Sequence, residues 1–358
     1  MVALGWVRIR QPRLRGTRGL TSQASNGYVN SLASAHGTVI YLNRLVLILP
    51  LVPRYTYPAI FSNPNLSRSL FQRVFSTMAE ATQLVYQRDG ERLLHSAKVI
   101  SIVPVSELAM PDKDLIKDAP EIEHAIITDS TIFHVQGGGQ PSDTGIMAPS
   151  SSSDGDDAAA KDKPSFQVKS VRHPAQGHQV LHFGHFIPPG GASAPFPSGT
   201  SLQQHVDAEK RNLHSRLHSA GHILSLAIYA LCASGELPPL KESKASHYPD
   251  SASVSFHGTL EAKHKDAIQA KTDEFVKSAR PIRIHWWPMD ELLEKCHGTT
   301  DGFALPDGET MGRVVEMEGL GSYPCGGTHV SDCSLVGRIE VKKISRSKGT
   351  TKVSYRVA

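Results

Sequence analysis

His218 and His222 stand four residues apart, and far along the chain Cys325-Gly-Gly-Thr-His329 offers a thiolate and a third imidazole. Imidazole and thiolate are preferred donors for zinc, and four of them make one tetrahedral shell. On a helix, residues i and i+4 share a face with Cβ atoms roughly 5–6 Å apart, so two imidazoles can converge on one ion. The glycines between Cys325 and His329 let a loop turn tightly enough to bring both side chains to the same point. Three nitrogens and one sulfur favour zinc, one ion, over magnesium or calcium, which take oxygen donors. His214 extends the helical row but sits eight residues from His222, about 12 Å along the axis, too far for one ion to take both ends. Cys333 would be a fifth donor and reads as a buried thiol. Four bound side chains close the shell around a structural ion, whereas a ligand that swings away admits water for activation. Spacing does not choose between these. A zincin protease is excluded, because no His-Glu-x-x-His is present.

A second chemical segment runs from Thr131 to Gly145 and contains Gly137-Gly138-Gly139-Gln140 and Asp143. Three glycines and a glutamine make either a hairpin turn or a loop whose backbone approaches a ligand carbonyl or phosphate. The segment lacks the Gly-Lys-Ser/Thr of a P-loop and the spaced glycines of a dinucleotide site.

The elements that must position these residues are of two kinds. Leu84–Gln87, Lys98–Val103, Ala125–Thr128, Phe166–Val171 and Gln179–Phe183 are short and β-branched or alternating, which predicts a small β-barrel-like domain over 80–187 carrying the glycine-rich loop. Ala148–Lys163 is low-complexity and acidic, an insertion between two strands. Residues 188–199, rich in proline and glycine, read as a linker. The second domain, 200–358, is predicted to open with the strand Ser201–Val206. A long helix follows over about Ala208–Ala233, with Leu213, Leu217, Ala220, Leu224, Ile228 and Leu231 as its buried stripe. Val254–Phe256, Ile282–Trp286, Gly312–Met317, Gly337–Ile344 and Thr351–Val357 read as strands, and Glu261–Ala279 as a second helix. The expected class is α+β, with helices on a mostly antiparallel sheet.

The charge total conceals an asymmetry. Residues 1–79 hold nine arginines, no lysine and no acid, and the remainder has 29 basic against 34 acidic residues. A basic surface along the whole chain is therefore excluded, and a nucleic-acid patch must be local. Residues 1–79 read as a disordered or targeting extension. They suit a mitochondrial presequence with a processing site near Arg73-Val74-Phe75-Ser76, or a translated stretch that never serves as one. Initiation at Met78 would give a cytosolic form. Leu45–Val52 is too short for a membrane span and contains Pro50. Four cysteines at irregular spacing do not form a disulfide framework and suit a reducing compartment.

Phe133-His134-x-x-Gly-Gly-Gly-Gln140-x-x-Asp143-x-Gly145, the helical His-x3-His and Cys-Gly-Gly-Thr-His, in that order, resemble the alanyl-tRNA editing proteins of the AlaX family. They also resemble the editing domain of alanyl-tRNA synthetase. The resemblance covers about residues 83–358. Threonyl-tRNA synthetase editing domains share the metal motifs but not the Gly-Gly-Gly-Gln loop, and His134 stands where tyrosine is common. Nothing resembles an aminoacylation core. The resemblance implies a free-standing hydrolase that deacylates Ser-tRNA(Ala), and Gly-tRNA(Ala) beside it, at a zinc site held by His218, His222, Cys325 and His329. Gln140 and Thr131 are then the catalytic candidates, with Thr131 sensing the serine hydroxyl. Gly137, Gly138, Gly139 and Asp143 line the aminoacyl pocket.

Binding tRNA needs local positive charge, and Arg211 and Arg216 on the long helix, with Lys342, Lys343, Arg346 and Lys348 near the end, are the candidates. The plainer reading of the lysines is an edge hairpin guarded against sheet-to-sheet pairing. The expected partner is mischarged tRNA(Ala), with no DNA and no membrane, for a monomer or weak oligomer in the cytoplasm. The alternative class is a non-catalytic, zinc-stabilised tRNA- or protein-binding module of the same fold.

Overall fold

Alternation of side chains builds the first half. In the strand Ser165–Arg172, Phe166 and Val168 are buried with the period 2 of a sheet with one packed face, and a bulge at Lys169 resets the phase so that Val171 is buried too. The computed structural model describes residues 80–150, 164–187, 196–299, 302–306 and 308–358, and the backbone of a strand meander at 33–34, 37–42 and 45–49. The remainder of the extension over 1–79 and most of the acidic insertion lie outside the described residues. Leu70–Ala358 is one compact unit, separate from Met1–Ser69.

Among the described residues of Leu70–Ala358, eight strands lead up to the long helix: β1 (Gln83–Leu84), β2 (Leu94–Pro104), β3 (His124–Thr128), β4 (Ser130–Thr131), β5 (Gly145–Pro149), β6 (Ser165–Arg172), β7 (Leu181–Ile187) and β8 (Ser201–Val206). Six of them close a barrel in the order β7-β3-β2-β8-β5-β6, every pairing antiparallel. Val99, Ile126, Met147, Phe166 and Leu202 fill it. Two expectations are corrected here. Ser201–Val206 does not open a second domain; it is a barrel stave, paired with β2 on one side and β5 on the other. Leu84–Gln87 is not a strand throughout, because Val85–Gln87 winds into a 3-10 turn. The stave β5 begins where the sequence shows only the approach to the insertion. β1 and β4 form a short parallel pair outside the barrel.

The helix α1 spans Ala208–Ala233, the range its periodicity predicts. Asp207 caps it by accepting from the Lys210 amide at 3.1 Å, which satisfies one of the orphan donors of the first turn. Leu217, Leu224, Ile228 and Leu231 are buried with Phe256, Val341, Val353 and Tyr355 in the larger core, each such side chain contributing about 1.5–3 kcal/mol by leaving water. The sheet beneath is β9 (Lys241–Ser246), β10 (Ser253–His257), and the hairpin β14 (Ile339–Ser347) with β15 (Thr350–Val357), in the order β9-β10-β15-β14. The helix α2 (Lys265–Lys277) packs against α1 and β14. Between them lie β11 (Ile282–Pro288), α3 (Met289–Lys295), β12 (Met311–Met317) and β13 (Gly321–Pro324), whose three strands form a separate antiparallel sheet. The class is α+β, as expected. No helix among the described residues is long and apolar enough to cross a membrane.

Candidate metal centre

The four expected ligands converge. One donor atom from each of His218, His222, Cys325 and His329 lies within 4.8 Å of the others. Cys325 Sγ is 3.4 Å from His218 Nε2 and 3.3 Å from His329 Nε2. Donors held about 2.0–2.3 Å from a central ion in a tetrahedron are separated by only slightly more than this, so the donor set fits zinc. α1 supplies two ligands from one face, and the loop leaving β13 supplies the other two. His214 is not in the group and Cys333 is fully buried elsewhere, as the spacing argument required.

The outer nitrogens orient the inner ones. His218 Nδ1 lies 2.6 Å from Gln140 Oε1, which also accepts from the Thr328 amide at 3.1 Å. An amide oxygen only accepts, so His218 carries its proton on Nδ1 and presents the Nε2 lone pair inward. Ser219 Oγ takes the same place behind His329, 3.1 Å from Nδ1. Burial holds all three imidazoles below their usual pKa, His222 at about 3; neighbouring rings push the same way, as does Arg313 at His222 and His329. The Cys325 thiol is raised by burial, which Arg313 opposes. Neutral imidazoles are ready ligands; the thiol must lose its proton on metal binding.

The glycine-rich segment is a hairpin turn that docks onto this centre. Gly137 and Gln140 bond to each other across the turn, and Gly138 and Gly139 have φ of +57° and +82°, values that favour glycine at both central positions. Gly139 O accepts from the His247 amide at 2.8 Å. Gln140 does not face a pocket. Its side chain is fully buried, and its Nε2 donates to Thr328 Oγ1 at 2.8 Å. Its place is between the turn, His218 and the Cys-Gly-Gly-Thr-His loop. That loop needs glycine: a Cβ on Gly327 would stand 2.2 Å from His218 Cε1.

Other expected roles are corrected by burial. Thr131 is wholly inside the protein. His182 Nδ1 is 2.9 Å from the Ile126 carbonyl and must donate there, so its Nε2 accepts from the Thr131 hydroxyl at 2.8 Å. The same oxygen accepts from the Phe133 amide at 3.1 Å, leaving no donor to read a substrate. Asp143 pairs with Arg211 and accepts from the His134 amide at 2.6 Å. Arg211 also donates to the carbonyls of Gly90 and Ile132, so the buried pair has a structural part in joining the glycine hairpin to α1. Arg216 donates to the Val336 and Ala358 carbonyls. Lys342, Lys343, Arg346 and Lys348 are exposed on the edge hairpin, where a bulge after Val341 sets the two lysines side by side.

Sequence reasoning missed Ser219, Thr328 and Arg313. Ser219 and Thr328 sit inside the ligand motifs, where hydroxyls beside ligands are the visible signal. Arg313 is a lone cation in the otherwise apolar start of β12. It donates to the Gln87 and Cys325 carbonyls and ties the 3-10 turn after β1 to the Cys-Gly-Gly-Thr-His loop.

Residues 313–353 match the family described as the threonyl and alanyl tRNA synthetase second additional domain. The alanine–tRNA ligase of Thermofilum pendens is 30% identical over 224 residues, 61% of this chain and 21% of that protein. That of Pyrococcus furiosus is 26% identical over 231 residues, 63% of this chain and 22% of that protein. The chain thus spans about a fifth of the length of these ligases. The alanyl-tRNA editing protein AlaX-M of Methanosarcina acetivorans is 25% identical over 243 residues, 64% of this chain and 87% of that protein. The chain is homologous to alanyl-tRNA synthetases and to this editing protein, as its three motifs implied.

Proposed function

We propose that this chain edits tRNA(Ala) in trans, hydrolysing the ester that joins serine, and secondarily glycine, to the 3′ end. The observation that carries this reading is the docking of the Gly-Gly-Gly-Gln hairpin onto a three-histidine, one-cysteine centre, two motifs with no other evident reason to meet. Alignment with nearly the whole of an editing protein supports it. The physical need is plain: a pocket built for alanine rejects an added hydroxyl or a missing methyl by only about 1–3 kcal/mol, so a second, hydrolytic site is required.

Bound zinc would supply Lewis acidity for the ester carbonyl or for water. The chain's own residues do the positioning. Gln140 fixes the tautomer of His218, Ser219 orients the His329 ring through Nδ1, and Gly327 allows the loop to close on His218. The exposed Lys342, Lys343, Arg346 and Lys348 are suited to phosphate contact, which makes affinity fall with salt. Action is in the cytoplasm, with a mitochondrial form if the arginine-rich extension is cleaved; the N-terminus of native protein tests that.

The direct test measures ester loss from Ser-, Gly- and Ala-tRNA(Ala), with and without chelator. Loss of serine, sparing of alanine and inhibition by chelator are expected, and Cys325→Ala should lose metal and deacylation together. Four protein donors also suffice for a closed shell, the one observation favouring a structural ion in a binding module. Failure to hydrolyse any of the three substrates would establish that second reading.

A further inference from the structure

A cleft of about 700 Å³ opens directly from Cys325 and Gly326. One wall is the segment around Gln87 and Arg88; the other includes Trp286, Phe303, Leu305 and Arg313. Two features of it are unexplained by the fold. The Arg313 side chain is nine-tenths buried, yet its Nη2 has no hydrogen-bond partner. A buried donor left unpaired costs about 1–3 kcal/mol; this nitrogen lies behind the cleft wall, so Arg313 lends the cleft positive charge. Arg88 is exposed, lies 4.7 Å over the Trp286 ring, and has no carboxylate partner among the described residues. Among the described residues lining the cleft, one is a carboxylate, Glu309, against these two guanidinium groups.

Register places these groups in a row. Trp286 stands opposite Arg313, and the Cys325 amide donates to Arg313 O at 3.1 Å. Directly opposed residues project to the same face. Two strand spacings separate Trp286 from Cys325, about 10 Å. Stacked nucleotides advance about 3.4 Å each, so an ester at Cys325 puts the second or third nucleotide from the end beside the indole.

We propose that this cleft holds the single-stranded 3′ end of the RNA, with one base joining the Arg88–Trp286 stack and the phosphates drawn by the exposed Arg88 and the charge of Arg313 behind the wall. The proposal rests on reading the Cys325 centre as an aminoacyl-ester site. Aromatic and guanidinium planes accept any base, and free cations follow the backbone, so the cleft anchors the acceptor end without reading its sequence. The remote edge lysines are not required for this anchoring.

The test uses the full chain and a short, unacylated single-stranded RNA ending in CCA, labelled at its 5′ end and followed by fluorescence anisotropy. Trp286→Leu and Arg88→Gln should each weaken binding about tenfold, with bound zinc unchanged. Arg88 is exposed, so its variant separates the proposal from any folding defect at Trp286. In deacylation assays KM should rise while kcat holds. Wild-type protein that does not bind this RNA, or variants that bind it as wild type does, would overturn the proposal. Binding that depends on both residues, in a protein that hydrolyses no ester, would keep the cleft and discard the editing function.

Discussion

Gln140 shows how one side chain can serve a candidate metal centre without being one of its ligands. Its amide receives His218 Nδ1 and the Thr328 amide on one atom and donates to Thr328 Oγ1 from the other. Removing such an outer partner usually costs 10–100-fold in metal affinity. Gln140→Leu should therefore bind zinc about 10–100-fold more weakly, measured by competition with a chromogenic chelator; unchanged affinity would deny Gln140 this role. Thr131 carries a different expectation from the one its sequence context suggests. Thr131→Val leaves His182 Nε2 unpaired in the barrel and should cost about 1–3 kcal/mol in urea unfolding. A loss of serine selectivity without loss of stability would restore Thr131 as a substrate sensor.

At the scale of elements, the stave Ser201–Val206 joins the two halves. Leu202 is fully buried in the barrel, and Gln204 holds the segment before the glycine hairpin, accepting from the Ile132 amide at 3.0 Å and donating to Ser130 O at 3.0 Å. The next residues cap and start α1, which carries two of the candidate metal ligands. Leu202→Ala should destabilise by about 2–5 kcal/mol through transfer and cavity terms. Because β8 closes the barrel, the same change should lower both halves in a single unfolding transition. Two transitions, with only one shifted, would mean the halves fold independently.

At the scale of the molecule, neutral buried histidines set the acid limit. Burial lowers His182 to about 4 from the ordinary 6.5, and His134 likewise to about 4. Above pH 6.5 both states are neutral and these groups leave stability unchanged. Between 6.5 and about 4 only the unfolded chain takes the protons, so stability falls as pH falls, by about 3 kcal/mol for each group. That is a large share of the roughly 5–15 kcal/mol typical of a domain. Urea titrations of metal-free protein at pH 7.5 and 4.5 should show the loss, reduced in His182→Gln by about 3 kcal/mol. An equal loss in that variant would assign the acid sensitivity elsewhere.

Chemistry that depends on residue type and short spacing was legible in the chain alone. His-x3-His on a periodic helix and Cys-x3-His on a glycine loop named the ligands, because one turn of helix and one tight loop are local geometry. The limits of α1 and most strands followed from the same local rules, and the motif order named the relatives. Roles that depend on who meets whom were settled only by folding. Arg211 looked like a free cation until Asp143 closed on it. Gln140 and Thr131 looked like pocket groups until His218 and His182 took their hydrogen bonds. The strand Ser201–Val206 showed its alternation, but its partners Leu94–Lys98 and Gly145–Pro149 lie far away in sequence. Spacing along a chain fixes which side chains share a face; burial and pairing across the fold decide which polar atoms are still free to act.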